Sequence, residues 1–387
     1  MKRSPFLFAA ILSIYLTPVQ SSNGDIQEFN DYINKSISKA NIAGMGIAIV
    51  SGDSILFTQG YGYSDIETKL PFTPHTVMNI ASISKTFVGV AIMHLVEQGL
   101  ISLDDNVNSF LPFKVSNPFS PESVITLRHL MSHTSGIQDR QKIYLNTYHY
   151  GGDAPTPLGE FLEDYLSQGG EHYSKKNFIK SEPGKKFVYS NIGAGLAGYI
   201  VERVSGKPLN IFTREIIFKP LNMNNTCWFI SDMARSKHTR LYESKKNNTI
   251  LENIELYGLT TYPDGGVRTT VTDLSHYLLC IMNKGLYKGT RILKEATVAE
   301  MLTPDYVDSY TKFWGIGDQI GHGGGDPGVS TGMYYSPIEK LGIIFFINTS
   351  SHGRFHKKEK KLYEFGKRLL MAGVKTNNKQ IEKTIIY

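Results

Sequence analysis

The chain has 387 residues, of which 41% are hydrophobic and 20% are charged, and its formal net charge is +6 at pH 7. These values are ordinary for a globular protein with one large domain or two packed lobes. The charge is modest and forms no dense basic stripe, so we expect no nucleic-acid partner.

The first twenty-one residues have the pattern of a secretory signal peptide. Lys2 and Arg3 precede a short apolar run over 6–16, and residues 19–21 suit cleavage. The apolar run is too short for an ordinary membrane span, although a retained anchor is the alternative. We therefore expect an exported protein, secreted or periplasmic.

The elements nearest the two ends of the chain follow one plan, a helix beside a β-hairpin. In chain order, the apolar spacing predicts a helix over 25–40, strands at 44–50 and 55–58, a helix after Ser82, a helix over 192–204, strands at 330–335 and 341–347, and a helix over 358–371. Both ends would then share one antiparallel sheet, which gives an α+β fold with a mainly helical insertion.

This plan sets the expected boundaries of the parts. We expect residues 22–86 and 261–374 to form an α/β lobe and residues 87–260 a helical lobe. Residues 375–387 have the composition of a loose polar tail.

Two cysteines, Cys227 and Cys280, are the whole cysteine content of the chain. Export would permit them to pair, and the sequence leaves open whether they do. Neither has a histidine or a basic cluster beside it, which argues against a catalytic cysteine. The chain has no H-E-x-x-H or C-x-x-C pattern, so we expect no metal and no cofactor.

A serine and a lysine stand three residues apart at the start of an apolar run, as Ser82 and Lys85. In a helix these positions share one face, so the amine can lie beside the hydroxyl. A serine hydroxyl is a poor nucleophile until a neighbouring base takes its proton. The pair is a candidate nucleophile with its activator, although the S-x-x-K pattern alone is common by chance.

Two later motifs carry side chains that suit the same chemistry. Tyr189 and Asn191 follow a Pro-Gly turn and precede the predicted helix over 192–204, and His322 opens an H-G-G-G run before the late strands. Free tyrosine and lysine both titrate near pH ~10, and side by side each favours the charged form of the other. Either Lys85 or Tyr189 could therefore take the proton of Ser82.

The order S-x-x-K, Y-x-N and H-x-G resembles that of the serine β-lactamase and penicillin-binding protein superfamily, in its class C-like branch. That branch holds class C β-lactamases, D-amino-acid-specific peptidases and related esterases. Longer segments resemble it in the same order, over 125–137, over 218–223 with Thr226, and over 264–270 with Asp273 and Leu274. The resemblance implies the β-lactamase/transpeptidase-like fold.

The resemblance also implies a role for each motif. Ser82 would become acylated, with Tyr189 as the acid/base and Lys85 tuning it. The implied substrate-binding positions are Asn191, His322 and Gly324. The implied oxyanion hole consists of the backbone N–H groups of Ser82 and Gly325.

One position departs from many β-lactamases, which have the lysine of K-T-G where this chain has His322. Histidine, with a reference pKa of ~6.5, is mostly neutral at pH 7, which weakens the case for β-lactams. We expect a serine hydrolase whose acyl donor is a small molecule or a short peptide, namely an ester or a peptide with D-residues. The alternatives are a penicillin-binding or sensing/scaffold protein with little turnover, and a true class C-like β-lactamase.

Several tempting residues are given structural roles. The resemblance assigns no catalysis to His129 or His133, and Ser84 is interpreted as helix packing. Residues 328–332 spell G-x-S-x-G, the pattern of an α/β-hydrolase nucleophile elbow. That elbow needs a helix after the serine, whereas a strand is predicted after Ser330.

Overall fold

The computed structural model describes residues 23–245, 250–350 and 359–371. The predicted signal peptide at 1–21 and the predicted tail at 375–387 lie outside the described residues. Within the described ranges, every helix is too short or too polar to cross a membrane.

Helices and strands alternate irregularly along the chain. The helices are α1 Asn23–Ala40, α2 Ser84–Glu97, α3 Leu127–Met131, α4 Gln141–Tyr144, α5 Leu158–Leu166, α6 Asn191–Ser205, α7 Leu209–Thr213, α8 Val271–Met282, α9 Glu295–Met301 and α10 Glu359–Met371. The strands are β1 Gly44–Ser51, β2 Ser54–Asp65, β3 Leu70–Pro71, β4 Met78–Asn79, β5 Tyr148–Tyr150, β6 Leu241–Lys245, β7 Ile250–Ile254, β8 Tyr257–Leu259, β9 Arg268–Thr269, β10 Leu286–Tyr287, β11 Thr290–Arg291, β12 Tyr310–Thr311, β13 Trp314–Gly315, β14 Ile320–Asp326, β15 Val329–Ser336 and β16 Leu341–Ile347.

One antiparallel sheet is built from both ends of the chain, which confirms the predicted fold class. Its strand order is β12-β13-β14-β15-β16-β1-β2-β3. The early strand β1 pairs with the late strand β16, with Ile47 opposite Phe345. Both strands are buried along nearly their whole length, as expected for the centre of a sheet covered on both faces.

The two faces of the sheet are covered by different helices. On one face, α1 and α10 meet where the rings of Phe29 and Phe365 stack at 3.7 Å, and Phe57 of β2 packs against both rings edge-on. On the other face, α8 packs against β1 and β16 and joins the larger core that contains α2 and α6. The sheet is thus the middle of three layers.

The middle of the chain contains more strand than its sequence predicts. Beside the helices it holds two short antiparallel pairs, β5 with β8 and β6 with β7. Each strand has three to five residues and gains its stability from its partner, so a local pattern does not reveal it. The division at residues 86/87 and 260/261 stays a prediction.

Candidate active site

The candidate nucleophile Ser82 lies in a tight 3-10 turn, Ala81–Ile83, that leads into α2. Ala81 has φ 49°, a left-handed conformation that non-glycine residues rarely adopt. Two hydrogen bonds fix the residue before it: the Ile80 N–H donates to the carbonyl of Val267 at 2.9 Å, and the Ile80 carbonyl accepts from the hydroxyl of Thr331 at 3.0 Å. A strained turn held from two sides is typical of a functional position.

The amine of Lys85 brings three parts of the chain together. Its Nζ lies 3.0 Å from Ser82 Oγ, 2.8 Å from Asn191 Oδ1 and 2.7 Å from the carbonyl oxygen of Asp264. The side chain is completely buried. The predicted i, i+3 contact between serine and lysine is therefore present, and Asn191 joins it from 106 residues away.

The protonation state of the Lys85 amine depends on the balance between its burial and the negative charges near it. Burial alone lowers the pKa of Lys85, but negative charge on Tyr189 and on Asp264 outweighs burial, so the pKa lies above its ordinary value. Lys85 is therefore an ammonium at neutral pH. Its hydrogens go to the two carbonyl oxygens, which only accept, and to Ser82 Oγ.

The phenol of Tyr189 lies over this ammonium. The centre of its ring is 5.0 Å from Lys85 Nζ. Tyr189 stands two residues before Asn191, and Ser190 between them caps α6 by accepting from the N–H of Gly193 at 2.9 Å. The Y-x-N motif thus forms the entrance of α6, as its position after a turn predicts.

A carboxylate that sequence reasoning missed holds this entrance in place. Asp139 accepts hydrogen bonds from the Ser190 hydroxyl at 2.8 Å, from the Asn191 N–H at 2.8 Å and from the Ile192 N–H at 3.1 Å. A negative charge at a helix N-terminus is favourable because the N–H groups there have no partner inside the helix. The residue lies in the loop 138–140 before α4, and no spacing rule links it to Tyr189.

His133 binds the backbone on both sides of Tyr189. Its carbonyl accepts from the N–H of Val188 at 2.8 Å, and its Nδ1 accepts from the N–H of Ser190 at 3.2 Å. Its ring lies 4.2 Å from the ring of Tyr189. These contacts fix the backbone on both sides of the candidate acid/base, so His133 is a positioning residue for it.

The same histidine connects to His322 through a buried tyrosine. Tyr310 OH lies 3.2 Å from His133 Nε2 and 3.0 Å from His322 Nε2. Because His133 Nδ1 accepts from Ser190, its Nε2 carries the proton and donates to Tyr310, which in turn donates to His322 Nε2. The other nitrogen of His322 donates to the carbonyl of Gly323.

Burial sets the charge of this network. It lowers the pKa of His322 to about 4, with Lys85 acting in the same direction, and it lowers the pKa of His133 well below its ordinary value. Both imidazoles are therefore neutral at pH 7. His322 is only 8% exposed and both its nitrogens are engaged, so its contact with substrate stays a prediction.

The H-G-G-G run lies inside β14, against the nucleophile turn. A Cβ at Gly324 would stand 2.3 Å from the Ile80 carbonyl oxygen, which leaves room for glycine alone. A Cβ at Gly325 would meet nothing within 4 Å, and this residue is exposed. Gly325 thus borders open space beside Ser82, where an oxyanion hole is needed, and that role stays a prediction.

The remaining candidates have structural positions. Ser84 is buried and its Oγ accepts from the N–H of Val267 at 3.0 Å. His129 caps α3 together with Thr126. Ser330 lies within β15 and not at a strand-to-helix turn, so the α/β-hydrolase elbow is absent from this segment.

In the part of the chain that the structure describes, neither the cysteines nor the metal-ligating residue types form a site. Cys227 and Cys280 are both free, and burial raises the pKa of their thiols to about 11 and about 12. Within the described ranges, histidine, cysteine and carboxylate side chains form no group of three that could hold a metal ion.

Two further acidic residues border the site, and sequence reasoning gave them no role. The backbone carbonyl of Asp264 accepts a hydrogen bond from Lys85 Nζ, and Asp326 directly follows Gly325. Asp264 begins the 264–270 segment that carries the resemblance, and Asp326 lies two residues after the H-x-G motif. Their position next to the H-G-G-G run and the 265–266 glycines was the signal that could have marked them.

Comparisons with known proteins agree with this geometry. A family model described as Beta-lactamase matches residues 26–365. Protein flp of Staphylococcus aureus strain N315 is 26% identical over 337 residues, which are 85% of this chain and 64% of that protein. The chain thus spans a little less than two thirds of this relative's length.

Solved structures share the fold. The octameric penicillin-binding protein homologue from Pyrococcus abyssi superposes with a TM-score of 0.69 at 26% identity, covering 84% of this chain and 74% of that one. The D-amino acid amidase from Ochrobactrum anthropi SV3 gives a TM-score of 0.68 at 21% identity, covering 90% and 98%. At that identity the amidase shows a common fold alone.

Proposed function

The chain belongs to the beta-lactamase family, and on that premise we propose that it is an exported serine hydrolase acting through an acyl-enzyme on Ser82. The observation that carries the proposal is the position of Lys85 Nζ, within 3.0 Å of Ser82 Oγ and 2.8 Å of Asn191 Oδ1 while lying under the ring of Tyr189. Export rests on the signal-peptide pattern of residues 1–21.

In the proposed reaction, Ser82 Oγ attacks the acyl carbonyl carbon and its proton passes to Tyr189. The bond from the carbonyl carbon to the leaving oxygen or nitrogen then breaks, and Tyr189 returns the proton to the leaving group. Water attacks the acyl-enzyme and gives a proton to Tyr189, which passes it back to Ser82 Oγ. Lys85 stays an ammonium throughout, and its positive charge faces the ring of Tyr189.

The proposed donors are esters or peptides with D-residues. A β-lactam presents a carboxylate, and a site that prefers it would offer a cation there. His322 is neutral, buried and hydrogen-bonded at both nitrogens, so it supplies no such charge.

The test is covalent labelling with a fluorophosphonate, followed by turnover of a panel of p-nitrophenyl esters, D-alanyl peptides and a penicillin. We expect a labelled peptide that contains Ser82, with labelling lost in Ser82→Ala and kept in the control Ser330→Ala. Labelling that persists in Ser82→Ala would refute the proposed nucleophile. A long-lived penicillin adduct without hydrolysis of any donor would favour the alternative function, a penicillin-binding or sensing protein, over a hydrolase.

A further inference from the structure

The turn between β12 and β13 has a backbone conformation that its residues do not favour. Thr311 pairs with Trp314, so Lys312 and Phe313 form a two-residue loop, and their φ angles are 41° and 67°. Positive φ at both positions is typical of a type I′ turn, where asparagine and glycine are usual. For a bulky residue such as phenylalanine this conformation is an outlier.

A second hairpin of the same chain has the usual residue in this turn. Tyr287 of β10 pairs with Thr290 of β11 around Lys288 and Gly289, whose φ angles are 46° and 83°. Both loop residues are exposed there. The β12–β13 turn has Phe313 where the β10–β11 turn has glycine, so its strained backbone needs stabilising contacts from its surroundings.

The side chain of Lys312 makes one set of these contacts. Lys312 and Lys85 are the two lysines that are completely buried in the part of the chain that the structure describes. The Nζ of Lys312 donates to Asp305 Oδ2 at 2.6 Å, to the carbonyl of Thr303 at 3.0 Å and to the hydroxyl of Thr311 at 3.1 Å. All three hydrogens of the ammonium are therefore used, and one of the acceptors is a carboxylate.

Asp305 connects this lysine to α3. Its other oxygen, Oδ1, lies 2.8 Å from a terminal nitrogen of Arg128 in α3, and its side chain is only 17% exposed. The N–H of Phe313 donates to the carbonyl of Met131, the last residue of α3, at 2.8 Å. The turn is therefore fixed to α3 twice, by its backbone and by its lysine side chain through the carboxylate.

The turn and α3 each carry a residue of the active-site network. Tyr310 begins β12, and His133 lies two residues after the end of α3, with 3.2 Å between Tyr310 OH and His133 Nε2. The ring of Phe313 is 5.5 Å from the ring of His133, which also lies against the ring of Tyr189. A shift of the turn relative to α3 would therefore disturb Tyr310, His133 and Tyr189 together.

We propose that Lys312 and Asp305 are positioning residues for the acid/base Tyr189. Their buried ion pair holds the strained turn against α3, and the turn holds Tyr310 against His133. This inference rests on the proposed function, because Tyr189 is the acid/base of that reaction. The ion pair acts through other residues and not on the substrate, so its loss should lower kcat and leave KM nearly unchanged.

The test is Lys312→Met, which nearly keeps the length of the side chain and removes its charge. Asp305 still pairs with Arg128, so the substitution leaves no buried carboxylate without a cation. For a p-nitrophenyl ester we expect kcat to fall by about tenfold to a hundredfold and KM to stay within about twofold, as for misplaced catalytic groups. Lys288→Met, at the same position of the exposed β10–β11 turn, is the matched control and should leave kcat unchanged.

A double variant separates positioning from a general loss of stability. His133→Phe removes the nitrogen that Tyr310 OH contacts, so combining it with Lys312→Met should lower kcat little beyond the lower of the two single variants. The inference is overturned if the two losses multiply, if either single variant keeps the wild-type kcat, or if Lys312→Met changes KM alone. Where Lys312→Met fails to fold, Asp305→Asn is measured in its place and the same outcomes decide.

The ¹⁵N chemical shifts of the histidine rings report on the same contacts without turnover. Lys312→Met should change the shifts of the ring nitrogens of His133 and His322, which both lie within hydrogen-bond distance of Tyr310 OH, and Lys288→Met should not. If the wild-type protein hydrolyses no donor, the proposed function fails. Changed shifts would then still support the positioning of Tyr310 by the ion pair, and unchanged shifts would refute it.

Discussion

Replacing Asp139 with Ala should reduce activity beyond its effect on stability. The carboxylate of Asp139 accepts three hydrogen bonds at the entrance of α6, two of them from the N–H groups of Asn191 and Ile192. A single N-cap contact contributes about 1 kcal/mol, and a hydrogen bond to a charged group contributes about 1.5–3 kcal/mol. Because Asp139 is half-buried and water replaces part of the loss, we expect the free energy of unfolding to fall by about 2–4 kcal/mol.

The effect on activity follows from Asn191. Its side chain holds Lys85 at 2.8 Å, and its backbone N–H is one of the groups that Asp139 fixes. A small displacement of the α6 entrance therefore moves Asn191 and Tyr189 relative to Ser82. Misplaced catalytic groups cost about a hundredfold for 1 Å, so we expect kcat/KM to fall by about tenfold to a hundredfold.

Asp273 provides the matched control. It is 5% exposed, and its Oδ2 accepts from the N–H of Asn225 at 2.7 Å and from the hydroxyl of Thr226 at 3.1 Å. Asp273→Ala should lose a similar amount of unfolding free energy in urea. Its kcat/KM for a p-nitrophenyl ester should stay within about twofold of wild type, because a residue away from the reacting groups affects the stability of the fold and not the chemical step. Equal losses of kcat/KM in both variants, or full activity in Asp139→Ala, would refute the reasoning.

Three further predictions concern β14 and the buried histidines. Gly324→Ala should abolish activity and destabilise the fold, because its Cβ would stand 2.3 Å from the Ile80 carbonyl oxygen, whereas Gly325→Ala should fold normally; thermal unfolding and ester hydrolysis compare the two. His133→Phe keeps the ring contact with Tyr189 but leaves the Ser190 N–H unpaired, so urea unfolding should show a loss of about 1–3 kcal/mol and kcat should fall. His322, with a pKa of about 4 when folded, binds fewer protons than the unfolded chain between pH 4 and 6.5, so its stabilisation is present above pH ~6.5 and is lost as pH falls towards 4. The difference in unfolding free energy between wild type and His322→Gln should therefore shrink by on the order of 3 kcal/mol between pH 7.5 and pH 4.

Each of these has a result that would contradict it. Equal stability of the two glycine variants would mean that β14 does not lie against the nucleophile turn. Unchanged kcat in His133→Phe would show that the hydrogen bonds of His133 are not needed to position Tyr189. For His322, the carboxyl groups with raised pKa, Asp264 and Asp326, give the opposite pH slope in both proteins and cancel in the difference, so a constant difference would mean that His322 titrates normally.

The spacing of apolar residues along the sequence was enough to predict the long helices and strands. The helix α1 follows from apolar residues at helical spacing, and the strands β1 and β16 follow from nearly continuous apolar runs. The pairs β5 with β8 and β6 with β7 did not follow, since strands of three to five residues exist only against their partners. Tyr310 was missed for the same reason, because its hydroxyl joins His133 and His322 through packing and not through spacing.

The sequence by itself predicted the reaction chemistry, since the order of S-x-x-K, Y-x-N and H-x-G resembles that of a family of serine hydrolases and marks a candidate nucleophile and its partners. Only the tertiary structure decided the charges around them. It places His322 in a buried network, makes Lys85 an ammonium, and raises the pKa of the Asp264 and Asp326 carboxyl groups by burial. The physical reason is that a side chain's charge depends on its burial and on nearby charges, and those neighbours come from distant parts of the chain, as Asp264 does at 179 residues from Lys85.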